Sequence, residues 1–456
     1  MIILSLPFLN SQFLLRQVEN LPVRYKWLEF RLDFHPEPVS FPCEILTDNS
    51  ILTIRDQSEG GKFPFDYSCK IDLYNKALLK FKGYVDCEAN LFHQDDIDPE
   101  HLIISRHFST FPAAEELDNL LDLAEKFGPA YLKVACPLDS YHHLSQIGQF
   151  IRNSDKNIIF AGYGFLGKLS RLLYSVLGAR GTFFSLDGLA TYPGQISASE
   201  AELFNIHSIT TSTRLGGILG GDQVYNSLGL THYNELFKTQ NCDAVYLPFP
   251  AVSFTDFRGW FREYEHLFYA ISITMPFKQQ ACYLAETSLQ AANLYVPATR
   301  KLLNTDAAAF QMSLNFLQFK PGETILILGT GATAATLLSL LPATTRIFVT
   351  GRNETRGRVI APQYNSTFIS IKQAASLQYD LLVNCTPLGL DRENPAEVFK
   401  LQLPGKVIDL VYGPRETSLI RLCRQRKIKY VDGKTFWDWQ AVIQEKIMLE
   451  ELRSCL

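Results

Sequence analysis

Lys133 lies in the middle of the short apolar stretch AYLKVACPL (130–138). An ammonium in such a setting is costly unless it is paired or neutral. A lysine kept neutral by apolar surroundings can attack a ketone and form a Schiff base. The imine is an electron sink and acidifies the neighbouring C–H. His107 closes another apolar stretch, titrates near neutrality by residue type, and can take that proton. Glu59 can orient the histidine as a carboxylate does in a serine triad. Arg31, Arg55 and Arg171 can clamp a carboxylate, and Glu29 adds a further polar group. This constellation describes a β-elimination on a keto-acid. Each residue alone has a plainer reading: a snorkelling or ion-paired lysine, a satisfied core histidine. Their convergence on the ends of apolar stretches favours a site.

A second set lies in the other half. GTGATA, with Gly329, Gly331 and Ala334, is a G-x-G-x-x-A turn that lets the backbone approach a pyrophosphate at a helix N-terminus. The next strand ends in TGRN, with Arg352 where an NAD-specific protein carries an acidic residue, so NADP is favoured. A solvated loop arginine is the plainer alternative. Lys278 and Asp306 can form a buried pair that relays a proton to an alkoxide; a structural salt bridge would use the same residues.

These residues need elements to position them. The first 205 residues contain eight short β-rich runs, at 2–7, 27–34, 51–55, 84–89, 101–107, 130–136, 157–163 and 181–186. Amphipathic segments such as AAEELDNLLDLAEKF (113–127) separate several of them. Eight β/α units in about 200 residues predict a (β/α)8 barrel, with a doubly wound open sheet as the alternative. In a barrel, chemistry belongs at the C-terminal strand ends, where Lys133, His107 and the arginines fall. NIHSITTSTRLGG (205–217) reads as a junction, and 317–432 reads as a Rossmann-type unit. The expected division is a barrel over 1–208, a substrate domain over 213–316 joined by 433–456, and a nucleotide domain over 317–432.

Composition agrees with an α/β enzyme. The 456 residues are 46% hydrophobic and 20% charged, with 43 basic and 47 acidic side chains. That balance gives no reason to expect nucleic acid or an anionic membrane as partner. No apolar run approaches the roughly 20 residues of a membrane span. The start, MIILSLPFLNSQF, reads as a first strand and not a signal peptide. Nine cysteines scattered without a C-x-x-C pair predict reduced thiols, a cytoplasmic setting and no metal site.

Beyond the residues' own chemistry, LEFRLDF, TIRDQSEGGKF, SRHFSTFP, YLKVA, GKLSR and TYPGQIS resemble, in order, the type I 3-dehydroquinate dehydratases over nearly all of 1–200. The resemblance implies that Lys133 forms the imine and that His107, partnered by Glu59, is the general acid/base. It implies that Glu29, Arg31 and Arg55 hold ring hydroxyls and that Arg171 holds the carboxylate. Thr191 and Gln195 would lie on a closing loop, Thr191 standing where the family usually has Ser. The family usually follows the histidine with Asp; here Phe108 follows.

Residues 213–450 resemble the shikimate dehydrogenases through SITMPFK, LLNTD, ILGTGATA, TGRN, NCTPLGL, DLVYGPRETSL and DGKTFWDWQA. The resemblance implies Lys278 and Asp306 as the catalytic dyad and Ser227, Thr274, Asn293, Tyr412 and Gln440 as substrate contacts. Gly329, Gly331, Thr333 and Arg352 would hold NADP(H), with Asn384 and Thr386 near its nicotinamide. The family's S-x-S-P is SLGL here: Ser227 survives, Gly229 and Leu230 replace Ser and Pro, and Thr231 is the candidate to compensate. Ser272 stands for the family's Asn. The fused order is similar to bifunctional 3-dehydroquinate dehydratase/shikimate dehydrogenases. The substrates implied are 3-dehydroquinate, 3-dehydroshikimate and shikimate. A quinate dehydrogenase, or an NADP-binding regulatory module without turnover, is the alternative for the second half. An aldolase is the alternative for the first.

Overall fold

The computed structural model describes residues 1–94, 96–389, 393–413 and 415–454. Leu390 of NCTPLGL and Pro414 of DLVYGPRETSL lie outside the described residues. The chain forms two compact units, Met1–Leu267 and Phe268–Leu456. Their boundary falls inside the segment 213–316.

The first unit opens with eight strands at the expected places: β1 (Ile2–Pro7), β2 (Trp27–Arg31), β3 (Ser50–Thr53), β4 (Tyr84–Glu88), β5 (Leu102–His107), β6 (Tyr131–Ala135), β7 (Ile158–Phe160) and β8 (Thr182–Ser185). Each pairs in parallel with its neighbour from β1 through β7, and β8 pairs with β1. A parallel bridge between Ile159 and Gly181 joins the remaining edges and closes the ring. A two-residue strand, β9 (Ile196–Ser197), lies beside β8. The floor is apolar, packed by Ile3, Ile51, Ile103, Ile159 and Phe183. The strands are buried on both faces, which is why they read as continuous apolar runs.

The β/α alternation is incomplete. Between β2 and β3, and again between β4 and β5, only 3₁₀ turns occur among the described residues. Pro36, Pro38 and Pro42 crowd the first of these links and remove the donors a helix would need. The run at 27–34 stops as a strand at Arg31, where the chain turns through Leu32–Phe34.

The junction after the barrel is packed, with Ile206 and Ile209 buried. It leads into β10 (Arg214–Gly220) and β11 (Ala244–Pro250), which pair in parallel. The helix Phe254–Tyr264 then docks on the barrel helix Tyr141–Asn153. Asp256 accepts hydrogen bonds from the Tyr141 and His142 amides at 2.8 and 3.0 Å, and Tyr141 packs against Phe257 and Trp260. This contact puts residues beyond 213 into one compact unit with the barrel.

The second unit begins with the antiparallel set β12 (Phe268–Ile273), β13 (Leu294–Val296) and β14 (Lys301–Leu303). Six parallel strands follow: β15 (Thr324–Leu328), β16 (Arg346–Thr350), β17 (Thr367–Phe368), β18 (Leu381–Asn384), β19 (Lys406–Asp409) and β20 (Lys429–Val431). Their order, β17-β16-β15-β18-β19-β20, is that of a doubly wound dinucleotide fold. Period-2 alternation feeds two cores: Ile325 and Ile327 face one side, Leu326 and Leu328 the other. Among the described residues no helix is long and apolar enough to cross a membrane.

Candidate active sites

Strand register sets the first site. Lys133 on β6 faces Ser105 on β5, and His107, two residues further along β5, faces Ala135. The histidine therefore stands one layer nearer the C-terminal mouth than the lysine. Glu29, Arg31, His107, Lys133, Arg171, Tyr192 and Gln195 line one cavity there.

Lys133 is 4% exposed, yet its surroundings are not apolar. Its Nζ donates to Asp86 Oδ2 at 2.9 Å and to Glu29 Oε1 at 3.2 Å, and stands 4.2 Å from the Phe183 ring centre. The expectation of a lysine isolated among apolar groups is corrected: two carboxylates hold it. Burial opposes charge on Asp86, but Arg55 and Lys133 hold that carboxyl well below the usual range. Glu29 is likewise held low by Lys133 and Arg31 against burial. Ser5 and Thr53 donate to it.

The turn Gln57–Glu59 brings Glu59 over the end of β5. Its Oε2 accepts from the His107 amide at 3.0 Å and pairs with His107 Nδ1 at 2.9 Å. Its Oε1 accepts from Arg106 Nη1 at 2.9 Å. Burial pushes Glu59 up to about 7, with Arg55 pulling the other way. His107 does not titrate near neutrality as its residue type implies. Burial, then Arg55 and Lys133, push it well below the ordinary value, so it is a neutral imidazole at pH 7.

The arginines divide. Arg171 is 2% exposed; it donates to the Gly162 and Phe183 carbonyls, and among the described residues no carboxylate lies within ion-pair distance. Burial lowers it to about 10, so an incoming carboxylate would find a guanidinium in want of an anion. Arg31 lines the cavity but is already forked onto Asp33. Arg55 lies outside the cavity lining. It is bonded to Glu88 at 3.0 Å and Ser105 at 2.7 Å, and sits 2.8 Å from Asp86. Thr191 and Gln195 are buried, bonded to each other, and Thr191 reaches Ser5 at 2.7 Å.

The second site lies in the other unit. Lys278 Nζ meets Asp306 Oδ2 at 2.5 Å. Asp306 sits in the first turn of the helix Thr305–Phe316, where the backbone dipole favours a carboxylate. Asn293 Nδ2 lies 2.9 Å from Asp306 Oδ1 and 3.0 Å from both Thr305 Oγ1 and Gln440 Oε1. Ser272 continues the network through Gln444 to Thr305. Burial raises the Tyr412 phenol, and the Asp306 charge adds to it. Thr274 is half-buried just ahead of Lys278.

The glycine turn fits a dinucleotide. Gly329 has φ +112°, and a Cβ there would meet the Cys385 carbonyl at 3.2 Å. A Cβ on Gly331 would meet nothing within 4 Å. That open space lies before the helix Ala332–Leu340, whose N-terminus no side chain caps. Thr333 is in its first turn, and Arg352 is exposed just past β16. Asn384 is fully occupied: its amide donates to Leu388 O and Asp409, and its oxygen accepts from the Thr386 amide and hydroxyl. Asn384 and Thr386 thus shape the turn after β18.

Comparison with known proteins accounts for both halves. The type I 3-dehydroquinase family matches residues 2–207. A shikimate dehydrogenase of Sulfurisphaera tokodaii is 31% identical over 52% of this chain and 90% of its own. The bifunctional 3-dehydroquinate dehydratase/shikimate dehydrogenase of Arabidopsis thaliana, a chloroplastic protein, is 23% identical over 93% of this chain and 76% of its own. The chain belongs to the bifunctional 3-dehydroquinate dehydratase/shikimate dehydrogenases. A 3-dehydroquinate dehydratase of Coxiella burnetii, 27% identical over 44% of this chain and 91% of its own, matches the barrel's share alone.

In the dehydratase barrel, sequence reasoning missed Asp86, the closest partner of Lys133. The signal was present: YVDCEA alternates Asp86 and Glu88 with apolar residues, so one face of β4 carries both carboxylates. It also missed Lys70, which donates to Glu88 from the helix Tyr67–Leu78 and steadies the network behind Arg55. In the dehydrogenase half the structure explains one departure from the family motif. A Cβ on Gly229 would lie 3.2 Å from the rings of both Tyr233 and Tyr246, so a serine there would require those rings to shift by a few tenths of an ångström. Ser227 belongs to the first compact unit and caps the helix Leu228–Thr239 by accepting from the Gly229 amide. Thr231 is exposed on that helix.

Proposed function

We propose that the barrel, residues 1–208, dehydrates 3-dehydroquinate and that residues 213–456 reduce the 3-dehydroshikimate formed, using NADPH. One observation carries the reading. Lys133 sits between Asp86 and Glu29 in the same cavity as a His107 whose Nδ1 is held by Glu59.

In the first reaction Lys133, once it has given up a proton, attacks the ketone carbon. Loss of water gives an iminium ion, whose positive charge replaces that of the ammonium between the same carboxylates. The iminium withdraws electrons from the adjacent C–H. His107, neutral and with Nδ1–H donated to Glu59, takes that proton at Nε2. The β-hydroxyl then leaves, receiving a proton from His107 as it goes, so the second product is water. Hydrolysis of the conjugated iminium frees Lys133. Arg171 is the group that would receive the substrate carboxylate.

In the second reaction NADPH, when bound, supplies a hydride to the ring ketone. Gly329, Gly331, Thr333 and Arg352 are the residues proposed to hold the cofactor. Lys278 gives a proton to the carbonyl oxygen, and Asp306, bonded to its Nζ, aims it. Asn293, Gln440, Tyr412 and Thr274 are the proposed substrate contacts. The free thiols of the described cysteines support a reducing compartment, and we place the chain in the cytoplasm.

The test is a single-pot assay. Added 3-dehydroquinate with NADPH is expected to oxidise the cofactor and accumulate shikimate. Absorbance of the enone without cofactor oxidation would refute the second activity and leave an NADP-binding module. Gly229, in place of a serine hydroxyl, favours one second reading, a quinate dehydrogenase; turnover on quinate exceeding that on shikimate would establish it.

A further inference from the structure

We propose that Arg106 is a positioning residue of the dehydratase: by occupying Oε1 of Glu59 it adds to Arg55 in favouring the carboxylate form and turns that group so that Oε2 receives His107 Nδ1–H. The proposal rests on the dehydratase reading of the barrel. It starts from strand alternation. Arg106 and His107 are neighbours on β5, so their side chains leave opposite faces of the sheet. Both nonetheless reach the same carboxyl, because the turn Gln57–Glu59 carries Glu59 across the strand end. Arg106 Nη1 lies 2.9 Å from Oε1, and His107 takes Oε2 through both its amide and Nδ1. Phe108 follows the histidine and is buried, and the Arg106 guanidinium lies 5.6 Å from its ring centre. Arg106 is thus held on both sides, though its side chain is 34% exposed.

The charged groups facing Glu59 are Arg55 on its own segment, Glu88 on β4, and Arg106 and His107 on β5. Arg55 is 3.8 Å away and already serves Asp86 and Glu88. Arg106 is therefore the one cation among these in hydrogen-bond contact with Glu59. The chemistry gives that contact a consequence. An ionised Glu59 accepts from Nδ1–H and leaves the Nε2 lone pair free as the base. A protonated Glu59 would donate to Nδ1 instead and put the proton on Nε2, which is the wrong tautomer for proton abstraction.

The experiment compares full-length wild type, R106Q and R106K. It follows dehydration of 3-dehydroquinate against pH, with borohydride trapping of the Lys133 adduct in parallel. For R106Q the acid limb of kcat/KM is expected to move up by about one pH unit, and kcat/KM at pH 7 to fall about fivefold. Trapping at Lys133 should persist, because the imine step does not use His107 tautomerism. R106K should recover most of the activity. An unmoved acid limb would overturn the proposal, as would a loss of equal size at every pH that R106K does not relieve. If wild type itself gives neither enone nor adduct, the dehydratase reading fails and the proposal falls with it.

Discussion

The two lysines proposed to do chemistry, Lys133 and Lys278, both face carboxylates, and they differ in how many. Lys133 has two, Asp86 and Glu29, at 2.9 and 3.2 Å. Lys278 has one, Asp306, at 2.5 Å, and 12% of its side chain is exposed. The barrel lysine is proposed to become part of a covalent cation, the other only to lend a proton. A cation that is formed, held through an elimination and then hydrolysed needs counter-charge throughout, and the two carboxylates, Glu29 on β2 and Asp86 on β4, are placed to provide it without moving. A proton donor that must return to its starting state is served by a single close partner. The positioning groups differ in the same sense. Glu59 clamps His107 beside Lys133, whereas Asp306 is itself fixed by Asn293 and the first turn of a helix.

Replacing each lysine in turn gives the largest expected effect. K133M should reduce dehydration by at least about 10^4-fold, as nucleophile loss does in other covalent mechanisms, and leave reduction of added 3-dehydroshikimate intact. K278M should do the converse, with a loss of about 10²–10⁴-fold in reduction. Steady-state assays of the two half-reactions check both. Loss of both activities in either variant would break the separation.

Next in size is the histidine's partner. E59Q should lower dehydration about 10²–10³-fold, because an amide can donate to Nδ1 and stabilise the wrong tautomer. The pH dependence has a definite sign. Glu59 is pushed up to about 7, first by burial, and is proposed to work as its charged form, so wild-type kcat/KM should fall as pH drops below about 7. His107 is pushed well below its ordinary value, first by burial, so the limb near neutrality is assigned to Glu59. A pH–rate profile flat from about 5 to 8 would contradict this assignment.

Removing one of the barrel's two carboxylates should have the smallest effect. D86N makes the surroundings of Lys133 resemble those of Lys278, and dehydration is expected to fall about 10–100-fold while reduction is unchanged. If D86N matches wild type, the second carboxylate has no catalytic part and the contrast between the lysines loses its meaning.

Much of this was legible in the sequence, for identifiable reasons. Lys133, His107 and Glu59 stand out because polar residues are rare in apolar strand ends, and Lys278 and Asp306 because short motifs carry them. The six-stranded nucleotide fold followed from the glycine turn and regular strand spacing. What sequence could not supply was long-range pairing. Arg55 looks like a free clamp, and only the pairing of β3 with β4 reveals that Asp86 and Glu88 already hold it, whereas Arg31 is held locally by Asp33 two residues on. The same blindness made Lys133 look isolated: Asp86 is its neighbour through strands far apart in sequence. The two missing barrel helices were masked by an average count of units, although the prolines near residue 40 argued against one of them.

The central claim is that Lys133 is the nucleophile. It is tested most directly by incubating the protein with 3-dehydroquinate, reducing with borohydride, and mapping the adduct by mass spectrometry after digestion. The account predicts a reduced adduct on Lys133 and none on Lys278. A folded protein that binds the substrate yet carries no adduct on Lys133 would contradict it.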